Sequence, residues 1–159
     1  MPITRQFTRL DVTRALLQKK EAFLNALMDR FEQVGEESVR HARLKGDYQD
    51  QTGNLRNSIG YVIFKDGRPY RVSYPNDAKG VGRGVKNGAA MGKALAMEVG
   101  RDSAYGDGIF MVVTAGMDYA IYVESGVRGG RKHDVLTSAS IVAARSFKTK
   151  VNNLYNKLK

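Results

Sequence analysis

The chain has 159 residues, 42% of them hydrophobic and 26% charged, a balance that suits one folded domain and excludes disorder along its whole length. With no cysteine it has neither disulfides, nor thiolate catalysis, nor cysteine-ligated zinc, so packing must supply its stability, with or without subunit association. A formal charge of +10 and a pI near 9.9 attract polyanions and repel a second copy, which points either to a nucleic-acid neighbourhood or simply to a soluble basic surface.

Residues 1–9 are short, polar and expected to form a mobile arm. From residue 11 to about 44 apolar side chains recur at threes and fours: Leu16, Leu17, Phe23, Leu24, Leu27, Met28, Phe31 and Val34. This predicts a long helix started by Asp11 or Thr13, ended by Gly46, bent or broken near Gly35, and buried along this stripe against a sheet. Lys19, Lys20, Asp29, Arg30, Glu36 and Glu37 mix both signs, as a solvated face does.

Thr52 is positioned to cap a short helical turn, with Leu55 and Ile59 four apart on one face. Strands are expected at 61–64 and 70–74, joined through Asp66-Gly67, a dipeptide in which both positions tolerate positive φ. Pro69 then belongs to an edge. Residues 76–88 carry Gly80, Gly82, Gly84 and Gly88 among Lys79, Arg83 and Lys86, which reads as a flexible basic loop too glycine-rich to pack. A short helix is expected at 89–99, with Ala90, Ala94, Leu95 and Met97 as its apolar positions and Gly100 closing it. Residues 108–114 lack alternation, so both faces should be covered, making this the candidate central strand. Asp118 is placed to cap a turn that carries Tyr119, Tyr122 and Val123 and stops at Gly126, although the alternation there also admits a strand. A second glycine-and-arginine loop spans 126–133. The final helix starts at Asp134 or Thr137 and runs to about Leu158, with Leu136, Ile141, Val142, Phe147, Val151, Leu154 and Leu158 inward and Arg145, Lys148, Lys150, Lys157 and Lys159 outward.

Two segments carry a family resemblance. The first has Thr52, Gly53, Leu55, Arg56, Ser58 and Ile59 in the pattern T-G-x-L-[RK]-x-S-[IL]. The second has Tyr119, Ala120, Tyr122, Val123, Glu124 and Gly126 in the pattern Y-A-x-[YF]-[VL]-E-x-G. In this order, between a long first helix and a final helix, they resemble the tail-completion, or head–tail connector, family of long-tailed bacteriophages and prophages. The match covers most of the chain apart from residues 76–105, which stand as an insertion. It departs at Ser125, where a bulky residue is common, and at His133-Asp134-Val135-Leu136, where a Pro-Phe-Leu type of lead-in to the last helix is usual.

The resemblance implies a minor tail component of the virion, at its neck or tail, made in the host cytoplasm. Its subunits would form a homo-oligomeric ring between a portal or adaptor protein and the tail-tube protein, with genomic duplex DNA passing through the lumen. Like-charged subunits repel, so salt or a polyanion should favour such assembly if the basic loops converge.

Other chemistries have thinner support. Gly80-Val81-Gly82-Arg83-Gly84 follows no buried strand, and Gly88 to Ala94 is one residue short of a P-loop with Ala94 where the hydroxyl must stand. His41 and His133 are far apart in sequence, without a histidine partner for a metal. Ser125, His133 and Asp134 hold the letters of a hydrolase triad without a nucleophile elbow, and Asp118 and Glu124 are weak candidates for paired carboxylates. Asp118 is better placed as a cap, and Glu124 is expected to meet an arginine, either within the chain or on a neighbour. No apolar run reaches the roughly 20 residues that cross a bilayer, and residues 1–10 lack the centre of a secretory signal, so no membrane partner is expected.

The expected architecture is α+β: a long N-terminal helix and a C-terminal helix on a small, mostly antiparallel sheet, as a single domain over 1–159 with the glycine-rich basic insertion at 76–105. No enzymatic activity, catalytic residue, cofactor or metal is expected. Thr52, Gly53, Leu55, Arg56 and Ser58 are assigned to the fold-defining turn, Tyr119, Tyr122 and Glu124 to packing or subunit contact, and Arg83, Lys86, Arg128, Arg131 and Lys132 to DNA or partner contact. The alternative is a free-standing basic module that grips the phosphate backbone with the same loops, independent of sequence. Absent tryptophan and 9% aromatic content argue against a stacking platform for single strands.

Overall fold

The computed structural model describes residues 8–80, 87–102, 106, 108–126 and 131–157. Helix α1, Arg9–Lys45, spans 37 residues and continues through Gly35 without a break. It starts earlier than the sequence pattern predicts, because Thr8 occupies the cap position. The Thr8 hydroxyl accepts from the Asp11 backbone N–H, while the Asp11 carboxylate accepts from the Thr8 N–H at 3.0 Å. Asp11 is therefore the third residue of a capping box rather than the cap itself. The Thr13 hydroxyl donates to the Arg9 carbonyl one turn back. Gly35 serves close approach: a Cβ there would meet the Tyr61 ring at 2.8 Å.

Three strands follow the order β2-β1-β3, with β1 at Ile59–Lys65, β2 at Arg68–Ser73 and β3 at Ile109–Ala115, both pairings antiparallel. The β1–β2 turn has Asp66 at φ 51° and Gly67 at φ 72°, the doubly positive turn that matches strand twist. Pro69 lies in edge strand β2. The register slips between Ile63 and Phe64, leaving Tyr70 as the extra residue of a bulge. The central strand is β1, not β3 as the unbroken apolar run suggested. Every β1 residue up to Phe64 is buried, whereas β3, on the other edge, is mostly half-buried.

Alternation along β1 divides the core into two layers. Ile59, Tyr61 and Ile63 face Met28, Phe31 and Val39 of α1, joined by Ala139 and Phe147 of helix α5, Thr137–Asn156. Val62 and Phe64 face the other way, against Ala96 of helix α3, Gly88–Gly100, with Phe110 stacked on Phe64 at 4.9 Å. The architecture is α+β, with a small antiparallel sheet held between α1 and α5 on one side and α3 on the other.

The packing face of α3 is only partly the expected one: Met97 packs against the Val62 and Phe64 layer as anticipated. Gly88, Gly92, Ala96 and Gly100 are its buried residues, while Ala94 and Leu95 point to solvent. A Cβ at Gly92 would strike the Ser58 carbonyl, and one at Gly100 would strike the Phe64 ring. The helix lies so near the strands that only glycine and alanine fit. The stretch before it also packs where it is described. Asn57 holds Ala78 through two hydrogen bonds of 2.9 Å, and Gly80 sits against the Thr52 backbone. Residues 81–86 lie outside the described residues.

Helix α5 runs antiparallel to α1, its contacts stepping from His41–Ser138 through Glu37–Ser146 to Phe31–Phe147. Its buried residues are Ala139 and Leu154, preceded by buried Val135. Ile141, expected inward, is exposed, and Leu158 lies outside the described residues. Nor does the stripe of α1 bury along its length. From Thr8 through Phe23 every residue is exposed, Leu16 at 63% and Leu10 at 67%, so only the part from Met28 to Ala42 contributes to the core.

Candidate functional site

The two motif segments meet at one end of the sheet. Helix α2, Asn54–Asn57, is a single turn entered through Gly53 in the left-handed region at φ 73°. Gly53, not Thr52, holds the cap position. The Thr52 hydroxyl still accepts from the Asn54 N–H at 3.3 Å, and the Asp50 carboxylate accepts from the Arg56 N–H at 2.8 Å. Glycine is required at 53 both for its φ and because a Cβ would meet the Ala78 carbonyl at 2.5 Å. Leu55 and Ser58 are buried, and the Ser58 hydroxyl donates to the Leu55 carbonyl at 2.8 Å. From Ser58 the chain enters β1, where the Gly116 N–H donates to the Ser58 carbonyl and ties the second motif to the first. The Arg56 guanidinium lies 5.8 Å from the centre of the Tyr48 ring, a cation–π contact, and burial pushes the Tyr48 hydroxyl up to about 12.

The second segment forms helix α4, Ala120–Ser125, closed by Gly126 at φ 72°. Asp118 does not cap it; this side chain is exposed and the helix start has no side-chain hydrogen bond. Ala120 and Met117 anchor α4 in the core. Among the described residues of its own chain Glu124 meets no arginine. Its carboxylate accepts from the backbone N–H groups of Leu136 and Thr137, both at 2.9 Å, and from the Thr137 hydroxyl. It thus supplies the N-terminal cap that α5 lacks locally, where an anion also suits the helix dipole. Asp134 adds a bond from the Ser138 N–H at 3.0 Å. Sequence reasoning missed this role because the cap stands twelve residues before the helix it serves; a glutamate one turn from a glycine stop was the only signal.

Asp47 organises the loop before α5. It accepts from the Asp134 N–H at 2.8 Å, and its carboxylate lies 3.3 Å from His133 Nδ1 and 3.5 Å from the Arg131 guanidinium. The backbone N–H first, then the His133 and Arg131 charges, hold its carboxyl below the usual aspartate range. Arg131 and Lys132 are exposed, while Arg83, Lys86 and Arg128 lie outside the described residues.

The remaining chemical candidates are dispersed. The Ser125 hydroxyl donates to the Ile121 carbonyl, and His133 turns to Asp47. The His41 ring contacts the Ser138 hydroxyl at 2.8 Å. Among the described residues no group of three or more histidines, aspartates or glutamates is placed to hold a metal ion. Gly88 and Gly92, which suggested a phosphate loop, are packing residues in a helix capped by Asn87. No described helix is long and apolar enough to cross a membrane.

What the motifs leave exposed is apolar. Ile121 at 69%, Tyr122 at 59% and Tyr119 line the solvent side of α4. Beside them is a notch of about 320 Å³ lined by Asp50, Leu55, Met117, Tyr119 and Val123 among others. Tyr119 is partly withdrawn from water and close to Asp50, and both effects raise its hydroxyl pKa. Comparison of the chain with protein-family models, with curated proteins and with solved structures returns no match.

Proposed function

We propose that the chain is a virion structural subunit, a tail-completion or neck component of a long-tailed bacteriophage. It assembles with copies of itself into a ring at the head–tail junction, between a portal or adaptor protein and the tail-tube protein, and genomic duplex DNA passes through that ring. The observation that carries this reading is the apolar surface left over once the chain has folded. Ile121 and Tyr122 on α4, and Leu10, Leu16 and Leu17 on the exposed half of α1, are large side chains facing water in two separate places. Several exposed large apolar side chains grouped on one element suit contact with another macromolecule.

The motif residues add support because their work is architectural. Gly53, Leu55 and Ser58 fix the turn into β1, Glu124 fixes the start of α5, and the exposed faces of Tyr119 and Tyr122 stay available for a neighbour. The exposed Arg131 and Lys132 are suited to phosphate contacts that ignore sequence. Electron micrographs of the purified protein provide the test, with annular particles as the expected result. Solitary particles at every salt and protein concentration would refute the proposal. Tight, salt-sensitive binding of duplex DNA by those solitary particles, lost in the Arg131→Ala/Lys132→Ala variant, would establish the free-standing nucleic-acid module instead.

A further inference from the structure

The two apolar surfaces differ in how their charges are arranged. The exposed half of α1 carries Arg9, Arg14, Lys19 and Lys20 against Asp11 and Glu21, and Asp11 is engaged in the capping box at Thr8. The α4 surface is built from segments without basic residues, although the loop carrying the exposed Arg131 and Lys132 runs beside it, where the His133 N–H donates to the Val123 carbonyl. In a chain of net charge +10, no lysine or arginine occurs from Asp102 to Gly126 or from Gly46 to Leu55, the segments that supply α4 and its notch. Asp50 stands at the notch and Asp118 is exposed at the start of α4.

We propose that the exposed half of α1 in one copy seats on the α4 surface of the next, a head-to-tail contact between two different surfaces of the same chain. This rests on the assembly reading above and deepens it by naming the contact. Like-with-like pairing is disfavoured on both sides. Two α1 arms side by side bring Arg14, Lys19 and Lys20 near their own kind, and two α4 surfaces bring Asp50 and Asp118 together. The crossed arrangement buries leucine against Ile121 and Tyr122 and sets lysine beside aspartate. The notch beside α4 is lined by Leu55, Met117 and Val123 together with the Asp50 carboxylate and the polar Gln49, Gln51, Thr52 and Asn54. It therefore suits either a leucine side chain or a lysine whose stem packs while its ammonium reaches Asp50. Because α1 is one unbroken helix, its exposed part reaches roughly 20 Å as a rigid arm. A contact between unlike surfaces also propagates from copy to copy and closes when the rotation allows, as a ring requires.

The absence of cysteine makes the test direct. Leu17→Cys and Tyr122→Cys variants, prepared separately and given different tags, are mixed and treated with a short bismaleimide. The expected product is a covalent heterodimer that forms only in the mixture. Asp118→Lys should weaken assembly by tenfold or more, and Lys19→Glu/Lys20→Glu in the same chain should restore it, with unfolding midpoints unchanged at concentrations where every chain is monomeric because all three positions are exposed. An oligomer in which the two introduced thiols never join, or in which Leu17→Cys joins only to itself, overturns this contact and leaves the assembly reading standing. A monomer under all conditions overturns both.

Discussion

The two halves of α1 share one helix and one apolar period but have opposite fates. From Met28 to Ala42 the stripe is buried between the sheet and α5, whereas from Thr8 to Phe23 it faces water. The difference arises because α5 packs antiparallel on the later half, with Phe147 against Phe31, and ends at Asn156, so nothing described covers the earlier one. Periodicity tells which face of a helix is apolar; it does not tell whether this chain or another supplies the cover.

The largest effect should come from closing the tight side of the sheet. Gly92→Val places side-chain atoms where the Ser58 carbonyl and the Tyr74 ring already lie, and it should destabilise the protein by about 3 kcal/mol or more in urea unfolding. The comparison within α1 is broken most directly by two matched truncations. Phe31→Ala, at a residue 8% exposed, should cost about 3 to 4 kcal/mol, and Phe23→Ala, at one 38% exposed, should stay within about 0.5 kcal/mol. Similar losses at both sites in the isolated chain would mean that the early half is covered after all.

Smaller effects sharpen the account of what holds α5 in place against α1. Glu124→Gln weakens the bonds to the Leu136 and Thr137 N–H groups and should cost about 1 to 2 kcal/mol, read as an earlier urea midpoint. The least change belongs to Glu37, whose carboxyl is held below the ordinary glutamate range chiefly by the Ser146 hydroxyl and then by Lys150 and Arg40. A folded pKa below the unfolded one gives stability that is present above the unfolded value and is lost as pH falls through the folded value. Acid unfolding of Glu37→Gln should therefore show a shallower decline below the ordinary glutamate pKa than the parent chain, and an identical acid limb would remove Glu37 from this role.

Much of the fold was legible because local signals agreed with it. Asp66-Gly67 marks the hairpin, Gly126 stops α4, and the spacing of apolar residues gives the long helices. Three features were hidden for different reasons. The central strand was misassigned because β1 opens with Ile59-Gly60-Tyr61 and closes with Lys65, which looks less apolar than β3 yet receives helices on both faces. The face of α3 was read only in part, at Met97, because proximity selected Gly88, Gly92 and Gly100, which a hydrophobicity pattern scores as weak. In the candidate site, Tyr119 and Tyr122 were found through their motif, but the capping role of Glu124 depends on a tertiary contact that no local spacing records.

The central claim is that the uncovered half of α1 is an assembly element. Sedimentation velocity on the parent chain and on its Leu16→Ser/Leu17→Ser variant, at matched concentrations, tests it most directly. The account predicts a closed oligomer for the parent and a monomer that keeps its folded secondary structure for the variant. A parent chain that sediments as a monomer throughout, or a variant that assembles as readily as the parent, would contradict it.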